Sequence, residues 1–157
     1  MSTLFMTGQT ANSQQTNKPI YKMNNKEIRW KQRFVNFKKA FLQLKSAINR
    51  VDELDDLAKE GMVQRFEYTY ELAWKTIKDF IESKGEAEKY QKDVLKKAFQ
   101  LDIIDNGEIW LEMLSKRNLM AHTYNETTFK EVVTDIITKF YPEIEKLILF
   151  FDKENAK

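Results

Sequence analysis

Seven large apolar residues, Trp30, Phe34, Phe37, Phe41, Leu44, Ile48 and Val51, follow one another at alternating steps of four and three. That spacing keeps them on one stripe of an α-helix and does not fit the two-residue period of a strand. A stripe about six turns long needs a cover, either other helices of the same chain or a second copy. The composition points the same way. Only 4 Gly and 2 Pro occur in 157 residues, too few turn formers for a sandwich or barrel.

The rest of the chain repeats the helical period. A second helix is predicted over Met62–Lys84, with Phe66, Tyr70, Ala73, Trp74, Ile77, Phe80 and Ile81 inward and Gly85 as its stop. Glu71 and Lys75, four apart, read as an ordinary surface ion pair. A shorter helix over Lys92–Leu101 turns Val94, Leu95, Ala98 and Phe99 inward. Asp105-Asn106-Gly107 is a turn signal. A fourth helix opens near Glu108 with Ile109, Trp110, Leu111, Met113 and Leu114. The last opens near Thr128, where Thr128 and Glu131 have capping-box spacing, and carries Val132, Val133, Ile136, Ile137 and Phe140. Pro142 is expected to kink or interrupt it, with Ile144, Leu147, Ile148 and Phe151 continuing its stripe. The fold expected is an all-α, up-and-down bundle of four main helices plus a short one.

Residues 1–22 are built differently, rich in Ser, Thr, Gln and Asn, with Lys18 and Lys22 their only charges. They are expected to form a disordered polar tail, from an upstream start or an artificial leader, ahead of a helical domain over 23–157. Lys plus Arg is 26 and Asp plus Glu is 24, a balance unlike that of a non-specific nucleic-acid binder. With no Cys and one His, the chain lacks a disulfide framework, a thiolate zinc site, a Cys nucleophile and a poly-His metal site within one subunit. No metal or cofactor is expected. No apolar run reaches the ~18 residues of a membrane span, and no Gly-rich phosphate loop is present.

The single imidazole lies in Lys116-Arg117-Asn118-Leu119-Met120-Ala121-His122-Thr123-Tyr124-Asn125. Arg117 offers a permanent planar cation for a phosphate, His122 a group that titrates near neutrality, and Tyr124 a phenol. Cutting RNA without a metal needs a base, an acid and a cation for the phosphorane charge. Asn118 and His122, four apart, share a helical face, so Asn118 could orient the ring. Arg117 and Tyr124, seven apart, share another. Arg117 and His122, five apart, are about 140° apart around an ideal helix and converge poorly. Either the helix ends or bends there, or two subunits each bring a copy to a shared cleft.

Three blocks carry a family resemblance. Arg65-Phe66-Glu67-Tyr68-Thr69-Tyr70-Glu71-Leu72-Ala73-Trp74-Lys75, Asp105-Asn106-Gly107-Glu108-Ile109-Trp110-Leu111, and Arg117 through Tyr124 resemble the nucleotidyltransferase substrate-binding family of the HEPN superfamily. Arg117 and His122 fit its R-x4-H motif, and Tyr124 extends it to the R-x4-H-x-Y form of HepT-type toxins. The likeness spans roughly Asn24–Leu149. It implies a dimerising four-to-five-helix bundle in the cytoplasm, with a small nucleotidyltransferase as partner. It implies one of two roles. In the first, the protein is a ribonuclease toxin with Arg117 and His122 in the dimer cleft, and the partner is an antitoxin that adenylylates Tyr124. In the second, it is a substrate-binding subunit that cuts nothing. The Ser-Pro helix start expected of the family near Gln91-Lys92 is absent.

Other polar residues have plainer readings. Asp102, Asp105, Glu108 and Glu112 fit a loop and a helix start better than a metal site. Lys38, Lys39, Lys45 and Arg50 fit a solvated face better than an RNA track. Arg65, Tyr68 and Glu71 are candidates for the border of the cleft.

Overall fold

The aromatic stripe folds as predicted. In the computed structural model, which describes residues 24–122 and 125–157 and only the backbone of 121 and 122, it runs along α1, Asn25–Asn49. Trp30, Phe34, Phe37, Phe41 and Leu44 are buried. Ile48 and Val51 are only half-buried, because the helix ends at Asn49 and Val51 falls in a short 3-10 turn, Val51–Glu53. The polar tail proposed for residues 1–22 lies outside the described residues.

Helix α2, Asp56–Ser83, runs antiparallel to α1. Arg33 near the start of α1 pairs with the buried Asp79 near the end of α2, and Arg29 pairs with Glu82 at 3.5 Å. The helix begins six residues before the predicted Met62. The Asp55 side chain accepts the Ala58 N–H at 2.8 Å and caps it. Its first residues, Asp56, Leu57 and Ala58, are exposed and carry no apolar period. Gly85 stops the helix as expected. It adopts a φ of 90°, and the Glu86 N–H returns to the Ile81 carbonyl at 3.1 Å.

Helix α3, Gln91–Gln100, has no side-chain cap at Tyr90, consistent with the missing Ser-Pro start. Val94, Leu95 and Ala98 are buried, but Phe99 is not inward; it is 52% exposed. Its ring lies over Gly107, the first residue of α4, where a Cβ would meet it at 3.4 Å. The connection between them buries Ile103 and Ile104.

Helix α4, Gly107–His122, is antiparallel to the final run, with Glu112 against Lys139 and Asp105 against Lys146. That run is α5, Glu126–Asp135, a π turn, Ile136–Phe140, and α6, Tyr141–Asn155. Asn125, not Thr128, caps α5: its side chain accepts the Thr128 N–H at 2.8 Å. The α-helical pattern is interrupted just ahead of Pro142, as expected, by a π turn rather than by a break in the run. The wider turn accommodates the proline, with the Tyr141 N–H reaching back five residues to the Ile136 carbonyl. Counted as one run, α5 to α6 makes four long helices and one short, the all-α bundle expected.

The core joins α1, α2 and α6 through aromatic rings. Trp30 lies 5.1 Å from Phe80 and 5.6 Å from Phe151, centre to centre, and Phe34 lies 5.5 Å from Phe151. Geometries of this kind are each worth about 0.5–1.5 kcal/mol beyond burial. The stripe on α1 is therefore a core seam rather than a free subunit face.

Candidate active site

Helix α4 sits between α2 and α5, and neighbouring residues on it point to different sides. Lys116 turns to α5, 3.7 Å from Asp135 and 3.9 Å from Glu131. Arg117, about 100° further round, turns to α2, where its Nη2 lies 3.3 Å from Glu71 Oε2. Arg117 is partly exposed, its side chain retaining 37% of its accessible surface.

Glu71 is more than an ordinary surface partner of Lys75. The Lys75 pair is present at 3.2 Å through Oε1, while the buried Oε2 faces Arg117 without a well-aligned hydrogen bond. The link to Arg117 is thus a charge contact. It occupies one nitrogen and leaves the guanidinium's other donors for an anion.

Two further α2 groups feel this cation. Glu67, one turn before Glu71, is partly buried; burial pushes its carboxyl above the ordinary range, and Arg117 pulls it partly back. The fully buried Tyr70 phenol is raised by burial first and by Glu71 second, with Arg117 opposing. Its hydroxyl donates to Gln91 Oε1 at 2.8 Å, tying α2 to the start of α3. Sequence reasoning missed Glu67, although it lies inside the Arg65–Lys75 block; its four-residue step to Glu71 is the signal that could have found it.

The other candidates divide. Asn118 is exposed on α4, four residues ahead of His122, which ends the helix. The His122 side chain and all of Tyr124 lie outside the described residues. Tyr68 is 58% exposed on α2. Arg65 is exposed and donates from Nη1 to the Gln43 carbonyl of α1 at 2.8 Å, so it leans away from Arg117. The structure brings Arg117 and Glu71 together and sets Tyr68 between Glu71 and Arg65. Lys38 on α1 is tied to Asp152 at 2.7 Å, and Arg50, just past its end, to Glu53 at 3.2 Å.

A family model described as "Nucleotidyltransferase substrate binding protein like" matches residues 32–153, from the second turn of α1 almost to the end of α6. The chain belongs to this family. Among curated proteins it is similar to "Probable ribonuclease HepT" of Haemophilus influenzae (strain ATCC 51907 / DSM 11121 / KW20 / Rd), 28% identical over 88 residues. That alignment covers 53% of this chain and 60% of the relative, so the chain spans less than two thirds of that protein's length. The matched span of the substrate-binding-protein-like family includes Arg65, Tyr68, Glu71, Arg117, Asn118, His122 and Tyr124. Among the described residues, no helix is long and apolar enough to cross a membrane.

Proposed function

We propose that this protein works beside a nucleotidyltransferase as a metal-independent ribonuclease toxin, which that partner neutralises. The observation that carries the reading is Arg117, a partly exposed cation on the same helix as the chain's one imidazole, tethered by Glu71 through a single nitrogen. In the proposed reaction the ribose 2′-oxygen attacks the adjacent phosphorus and the 5′-oxygen leaves. His122 takes the 2′-hydroxyl proton and returns it to the departing 5′-oxygen, and Arg117 balances the charge gathering on the phosphorane. Asn118 orients the imidazole. The cleft forms between two copies, because five residues on one helix place Arg117 and His122 about 140° apart. Tyr124 is the control point: its phenolate oxygen attacks the α-phosphorus of ATP held by the partner, and pyrophosphate leaves.

The test is RNA cleavage with EDTA present. Wild-type protein is expected to cut, and His122→Ala to lose roughly 10²–10⁴-fold in rate with an unchanged melting temperature. A metal requirement, or an equally active His122→Ala, would overturn the mechanism. The second reading, a non-catalytic subunit that presents substrate to the nucleotidyltransferase, is favoured by the description of the matched family itself. A wild-type protein inert on every RNA, tRNA included, would select it.

A further inference from the structure

Arg65, Tyr68 and Glu71 are successive members of one three-residue row on α2. Each step along such a row climbs about 4.5 Å and turns about 60° around the helix. The row therefore crosses the outer surface of α2 obliquely. At one end Glu71 holds Arg117 of α4. At the other, Arg65 leans toward α1. Tyr68 stands between them, 58% exposed, and its ring meets no other aromatic ring among the described residues. Arg65 likewise has no carboxylate partner among the described residues, and only its Nη1 is engaged. The surface thus runs from the Arg65 cation across the Tyr68 ring to the Glu71–Arg117 pair, over about the width of one helix.

We propose that this row is the track for an unpaired stretch of RNA beside the cut, with one base stacked on Tyr68 and the next phosphate met by Arg65. The inference rests on the ribonuclease reading and adds to it the strand state of the substrate and the residue that selects it. A flat, exposed ring can stack on any base but only on one free of its duplex, and a cation beside the ring, here Arg65, can hold the neighbouring phosphate. In a duplex the base faces are covered, and the ring has nothing to meet. Arg65, already tethered by the Gln43 carbonyl, is ordered before an anion arrives, so less rotamer freedom is lost on binding.

The experiment uses the full chain and two RNAs, an unpaired oligonucleotide with 2-aminopurine at one position and the same sequence held in a hairpin stem. Tyr68→Ala is expected to raise KM for the unpaired RNA roughly 5- to 150-fold, the fold-change equivalent to one stacked base. Its kcat should stay within about twofold. Binding of the unpaired probe should quench 2-aminopurine fluorescence in wild type and not in Tyr68→Ala. Tyr68→Phe, which keeps the ring, should restore both KM and quenching. Wild-type cleavage with unchanged KM and unchanged quenching in Tyr68→Ala would overturn the track and leave the ribonuclease reading standing. Absence of wild-type cleavage would remove that reading, and the quenching arm would still decide the track: quenching lost in Tyr68→Ala supports it, and no quenching in wild type overturns it. Loss of nucleotidyltransferase binding in Tyr68→Ala with quenching intact would also overturn it, assigning the ring to a protein partner.

Discussion

Arg117 and Glu71, on helices α4 and α2, meet at 3.3 Å through one guanidinium nitrogen and one buried carboxylate oxygen. The other oxygen of Glu71 faces Lys75 at 3.2 Å. A bidentate fork would have consumed two of the arginine's donors. A single-point contact fixes the side chain while leaving it able to bind.

This pair should be measurable in stability. Arg117→Ala removes the cation facing a buried oxygen, at a cost of about 1 kcal/mol given the partial exposure of both side chains. Glu71→Gln in the Arg117→Ala background should recover part of that loss by removing a charge then faced only by Lys75. Urea titrations of the two single variants and the double variant give the coupling. Strictly additive losses would mean that the contact contributes nothing.

Glu67 predicts a pH signature. Its carboxyl is raised above an ordinary value of 4.5, chiefly by burial. A carboxyl raised by folding stabilises the native state fully below the unfolded value, and that contribution is lost as the pH climbs through the folded value. Glu67→Gln has no proton to lose. The variant's melting temperature should therefore gain on wild type as pH rises from 4 to 7. A constant offset across that range would rule out the shift.

Assembly is tested by complementation. The proposed cleft draws on two copies, and the outer face of α1 exposes Val35 and Leu42, seven residues apart, at 51% and 53%. Light scattering should give twice the chain mass. Mixing Arg117→Ala with His122→Ala protein should restore part of the RNA cleavage. A monomer at micromolar concentration, or no restoration in a confirmed mixed dimer, would contradict a shared site.

Control through Tyr124 has its own readout. Incubation with the cognate nucleotidyltransferase and ATP should add AMP to this residue by mass spectrometry and abolish toxicity. An added phosphodiester would compete with RNA for Arg117 by a charge-assisted contact. Tyr124→Phe should remain toxic and resist inactivation. Added mass on another residue would refute the assignment.

The helices were legible because burial is periodic. Trp30 to Leu44, Met62 to Ile81 and Val132 to Phe151 report their inward faces directly. Helix starts were less legible, because the first turns of α2 and α5 are largely exposed and only a cap marks them. The apolar period begins only near Met62 and Phe129, several residues past the true caps Asp55 and Asn125. Phe99 misled because its neighbour Ala98 is buried and an apolar residue beside the stripe looks like part of it. At the candidate site the motif singles out Arg117, and the second-helix block offers Glu71 as a border of the cleft. That the two meet is not legible, since Glu71 lies 46 residues earlier and already has a local explanation in Lys75.

The π turn at Ile136–Phe140 bears on what this chain can tolerate. Val132, Ile136, Phe140, Ile144 and Ile148 are buried or nearly so at unbroken steps of four. On a straight α-helix each such step overshoots a full turn by about 40°, and the apolar side would slide halfway round the axis over this span. One widened turn takes up much of that overshoot. The spare residue should therefore be removable where it sits and nowhere else in the run. Deleting Thr138, an exposed side chain inside the widened turn, leaves an ordinary α-helical turn and keeps Phe151 against Trp30. A screen of single-residue deletions should find this turn the most forgiving place between Glu126 and Asn155.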